Sequence, residues 1–98
     1  MSLLGELKLS AVRAFLGRIH AEMRAIKISA DGETITVTVF LNQAASELIR
    51  EDVSEAATEI VADFPWCNRI NEQFEVVTGP LPREDVVKSG WIYERAEK

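Results

Sequence analysis

The chain has 98 residues, 47% of them hydrophobic and 28% charged, which suits one small globular domain and neither two domains nor a disordered tail. Its formal net charge of −5 argues against nucleic acid as the main partner, because phosphate repels an acidic surface. No stretch approaches the roughly 18 apolar residues of a membrane span; a lone cysteine, Cys67, forms no internal disulfide, and MSLLGELKLS lacks the basic and apolar blocks of a secretory signal, so a cytoplasmic protein is expected.

In chain order, LSAVRAFLGRIH (9–20) places Val12, Phe15, Leu16 and Ile19 on one helical stripe, with Ser10 in position to cap the helix start. MRAIKIS (23–29) reads as a strand with Ile26 and Ile28 on one face. Asp31–Gly32 suits a tight hairpin turn. The following ETITVTVFL alternates cleanly: Ile35, Val37, Val39 and Leu41 face one way, and Thr34, Thr36, Thr38 and Phe40 the other.

A second helix is expected from about Ala45 to Asp63 and ends before Pro65, since the residue preceding proline avoids the helical region. Ile49, Val53, Ala56, Ala57, Ile60 and Phe64 cluster on one side of it at roughly 100° per residue. A third strand is expected at about 71–78, then a loop at GPLPRED, then a short closing strand from Trp91 to Arg95. The order αββαββ predicts an α+β two-layer sandwich: a four-stranded, mainly antiparallel sheet with both helices on one face.

Charge is concentrated in the second helix. Residues 46–63 hold six acids and one base, and the remaining eighty residues are balanced at ten and ten. Glu47, Glu51, Glu55, Glu59 and Asp63 recur at every fourth position, a spacing at which like charges repel by a few tenths of a kcal/mol per pair. The helix dipole favours Glu47 but disfavours Glu59 and Asp63. Basic residues of the first helix, Arg13 and Arg18 among them, can quench one edge of this stripe. The remainder reads as a docking face for a basic protein, with Glu51, Glu55, Glu59 and Asp63 supplying charge and Leu48 and Trp66 supplying apolar anchors.

Other chemistry-bearing residues are sparse. His20, the sole histidine, reads as a dipole-matched residue at the end of the first helix, and Cys67 as a structural thiol. Trp91 and Tyr93 are expected on one face of the last strand, either in the core or as a patch on the open sheet face. No glycine loop cradles phosphate, and no catalytic, metal or cofactor set emerges. Two further readings stand beside the docking face. One is a small-molecule site or small enzyme with a pocket near Trp66, Cys67, Trp91 and Tyr93. The other is a self-associating module, a homodimer formed through a sheet edge or the open sheet face.

The phrases MRAIKIS before a threonine-rich strand, EAATEIVADFP, and a proline-containing loop before GWIYERAE resemble those of small bacterial proteins carried in integron gene cassettes or beside toxin genes. The resemblance spans most of the chain. It implies a bacterial, cytoplasmic αββαββ protein without an established catalytic residue, and it admits an immunity role against a toxin, since inhibitors of basic nucleases often present acidic helices.

Overall fold

The computed structural model describes residues 2–81 and 90–94. The elements are α1 (Leu3–Ala14), β1 (Met23–Asp31), β2 (Thr34–Leu41), α2 (Glu47–Ala62), β3 (Arg69–Val76) and β4 (Trp91–Glu94). The order αββαββ is therefore observed, while the expected GPLPRED loop and the end of the closing strand at Arg95 run into residues outside those described.

The sheet is mixed, with strand order β3-β2-β1-β4. β1 pairs antiparallel with β2 and with β4, but β3 runs parallel to β2 along its whole length, from Thr34–Arg69 to Leu41–Val76. This corrects the mainly antiparallel expectation. The cause is the β2–α2–β3 connection: a helix returning along the sheet delivers the next strand in the same direction as the last. Asn68 fixes the parallel register, because its backbone N–H and side-chain amide both donate to Glu33 in the hairpin turn. That turn is formed by Gly32 and Glu33 between paired Asp31 and Thr34, one residue later than the Asp–Gly spacing suggests, and Gly32 supplies the positive φ of 62°.

One large core joins both helices and the sheet. It includes Leu7, Ala11, Ala14 and Phe15, then Ile49, Val53, Ala56 and Ile60, and the alternating Ile35, Val37, Val39 and Leu41. The buried face of α2 is the one its periodicity predicts. The buried face of α1 is not. Ser2, rather than Ser10, caps the helix, accepting from the Gly5 N–H at 3.0 Å. The helix buries Leu7, Ser10, Ala11 and Ala14, while Val12, Leu16 and Ile19 are exposed, Leu16 by 71%. The small Ser/Ala stripe allows close approach to α2, whose own core face carries Ala56 and Ala57; the bulkier stripe would hold the helices apart.

The opposite sheet face is not bare. Ala25, Phe40 and Trp91 form a second buried cluster, against which Val77 and Leu81 pack. Trp91 stacks on Phe40 with ring centroids 5.2 Å apart. Arg24, 7% exposed, is the extra residue of a β-bulge between Met23 and Ala25, and its guanidinium donates to the carbonyls of Val77 and Gly79. A charged side chain is thus buried to hold residues 77–81 against the sheet, its desolvation offset by carbonyl partners.

Candidate functional site

The chain turns sharply at the end of α1. Gly17, at φ +81°, takes the left-handed conformation that returns the backbone after the helix. Arg18 then points back and donates to the Ala14 carbonyl at 2.6 Å, satisfying one of the helix's terminal acceptors. The same guanidinium reaches α2, lying 2.9 Å from Glu59 and 3.5 Å from Glu55. Its pKa is raised, chiefly by the hydrogen bond it donates to Glu59, so it is charged throughout the accessible pH range.

Two more contacts dress the same edge of α2. His20 Nε2 lies 2.6 Å from Asp52 Oδ2, and the buried Ser10 hydroxyl donates to Asp63 Oδ2 at 2.6 Å. His20 therefore sits beyond the helix and pairs with an acid, which corrects its expected place at the helix end. α2 has no base in its last turn, so the Ser10 hydrogen bond is what supports Asp63 at the negative end of the helix dipole.

The acidic stripe is consequently divided. Asp52, Glu55, Glu59 and Asp63 lie toward α1 and each has a partner there. Glu47 and Glu51, the N-terminal members of the stripe, have no ion-pair partner among the described residues. All of these acids except Asp52 are exposed. On the β3 side, Arg50 lies over the Phe74 ring, 5.0 Å from its centroid, and is occupied there rather than in front of the acids.

The apolar candidates separate. Leu48 is 60% exposed and stands one turn from Glu51 and Asp52. Trp66, 38% exposed, leans on Phe64 with centroids 5.6 Å apart, at the other end of α2. Cys67 is buried in the main core and bonds the Arg69 carbonyl at 3.2 Å. Trp91 and Tyr93 do not share a face. Ile92 is an extra residue in the β1–β4 pairing, so Tyr93 opposes Ile26 and packs on the main core while Trp91 opposes Lys27 and enters the second cluster. The Trp66–Cys67 pair and Trp91 therefore belong to different parts of the molecule. Tyr93 instead borders a shallow apolar hollow of about 180 Å³ with Val12, Phe15, Leu16 and Ile19.

Among the described residues no group of three or more His, Cys, Asp or Glu is placed to hold a metal ion, and no helix is long and apolar enough to cross a membrane. What the arrangement offers is a convex, exposed, partly neutralised acidic helix. Against this geometry, the family model of the MafI2 immunity protein matches residues 5–97. A comparison with curated proteins finds no match.

Proposed function

We propose the following role for this chain, which belongs to the MafI2 immunity protein family: it binds a basic toxin through the outward face of α2 and holds that toxin inactive. The observation that carries the reading is the incomplete neutralisation of α2. Arg18 and His20 cover the edge facing α1, whereas Glu47 and Glu51 are exposed without a described counter-charge. Glu55, Glu59 and Asp63 extend the negative field behind them. A field of one sign speeds encounter with a cationic partner, and Leu48, set among the acids, supplies apolar area that can be desolvated on contact.

Supporting this reading, both helices contribute to one core, so α2 turns its acids away from the sheet. Trp66 lies beyond the far end of the helix, so a partner touching both Leu48 and Trp66 must follow α2 for its length of about 24 Å. The cytoplasm is the compartment proposed for the encounter. The toxin's basic character is part of the same proposal, drawn from the charge of this surface.

The test is charge reversal at the uncovered acids. Glu47→Lys with Glu51→Lys leaves the α1 contacts intact, whereas reversal at Glu55 or Glu59 would set a lysine beside Arg18. The double variant should keep the fold by circular dichroism and lose about tenfold or more in association rate with the cognate toxin at low salt. An unchanged rate, or a wild-type complex indifferent to salt, would end the reading.

A further inference from the structure

We infer that the outer edge of β3, unpaired among the described residues, receives an extended, cationic segment of the toxin as a further strand of the sheet; this rests on the docking role proposed above. β3 is an eight-residue strand at the rim of the described sheet, in unbroken register with β2 and largely exposed. Natural edge strands are usually blunted by lysine, proline, a bulge or short length. RINEQFEV has no lysine, proline or bulge and is of full length; its charges are Arg69, Glu72 and Glu75.

Its outward hydrogen-bonding groups can be assigned. Arg69 N–H donates to Glu33 O at 3.3 Å and Val77 N–H to Leu41 O at 2.9 Å, so odd-numbered residues bond inward to β2. In a parallel ladder the alternate residues then point outward. Ile70, Glu72, Phe74 and Val76 present their N–H and C=O groups to an incoming strand.

The charge on this edge selects the occupant. Glu72 pairs with Val37 on the core side of the sheet and Glu75 with Phe40 on the other, so acids flank the edge on both faces. α2 packs over β3, with Arg50 on Phe74. A strand with Lys or Arg at alternate positions meets carboxylates above and below. A second copy of this chain would instead bring two acidic α2 helices side by side. Strand addition supplies main-chain hydrogen bonds, and the flanking acids supply selectivity.

The experiment combines residue-resolved amide exchange with two substitutions at one position, using the full chain and its cognate toxin. In the free protein the amides of residues 71, 73 and 75 should be protected, and those of 70, 72, 74 and 76 should exchange quickly. Toxin should slow the latter set. Glu72→Gln, which keeps the amide, should weaken binding about two- to threefold. Glu72→Pro, which removes an outward donor as well as the carboxylate, should weaken it about tenfold or more. Binding that leaves the even-numbered amides fast and is equal in the Gln and Pro variants would overturn the inference while leaving the docking role intact. Protection that appears without toxin and grows with protein concentration would overturn it in favour of a second copy. Loss of toxin binding in the wild type would overturn both. Should Glu72→Pro not fold, the exchange pattern of the wild type decides alone.

Discussion

Ser10 and Asp63 tie the two helices together: the buried hydroxyl of one donates to the exposed carboxylate of the other at 2.6 Å, where α2 ends. The contact gives Asp63 a structural duty at a helix terminus where an acid is otherwise unfavourable. Ser10→Ala should therefore lower stability by about 1 kcal/mol, the usual worth of such a hydrogen bond. Urea denaturation measures it. Because Asp63 keeps access to water, a much larger loss is not expected, and toxin binding should be unaffected.

Arg18 covers two acids of the stripe while ending α1. Arg18→Ala should lower the melting temperature modestly, through the lost hydrogen bond to the Ala14 carbonyl rather than the ion pairs, which add little. It should also uncover Glu55 and Glu59. Association with a basic toxin at low salt should then quicken by roughly two- to fivefold, as stopped-flow mixing would record. Slower association would mean that Arg18 itself contacts the toxin.

Arg24 is buried to bond the Val77 and Gly79 carbonyls. Arg24→Met removes those donors and should cost about 2–4 kcal/mol, the scale of a broken buried charged network. The second cluster should loosen with it. Trp91 is buried there whereas Trp66 is already partly exposed, so a red shift in tryptophan fluorescence reports on Trp91.

Gly90 is required for close approach rather than for an unusual φ. A Cβ at this position would lie 2.4 Å from the Ile28 carbonyl oxygen, and Gly90 itself accepts from Ile28 N–H at 2.8 Å. Gly90→Ala must displace backbone, and should cost about 2 kcal/mol or more. Faster amide exchange across the β1–β4 pairing is the accompanying sign.

The elements most legible in the sequence were those with a single strong period. The threonine-rich β2 alternates without interruption, and α2 has one apolar arc and a proline beyond its end. α1 offered two stripes, and hydrophobicity favoured the larger; the close approach of small residues on α1 and α2 decided the other way. The parallel pairing of β3 lay in the strand–helix–strand spacing, which points to a crossover. The bulge at Ile92 is what parted Trp91 from Tyr93, and no local pattern marks it. For the candidate site, the acidic face was evident from charge spacing, and quenching of one edge by the first helix's bases was among the expectations. The pairing of His20 with Asp52 depends on where the chain turns after Gly17, and the burial of Arg24 on a bulge; neither is written in periodicity.

The separation of β3 and β4 onto opposite rims has a consequence for when the protein becomes useful. Ala25 must find Glu94, about two thirds of the chain away, and so distant a pairing is entropically among the last to close. The acidic helix and the outer strand β3 are both encoded before position 77. A nascent chain emerged to position 77 therefore already carries α2 and β3, the two surfaces proposed for docking, before the strand that pairs with the far side of β1 has been made.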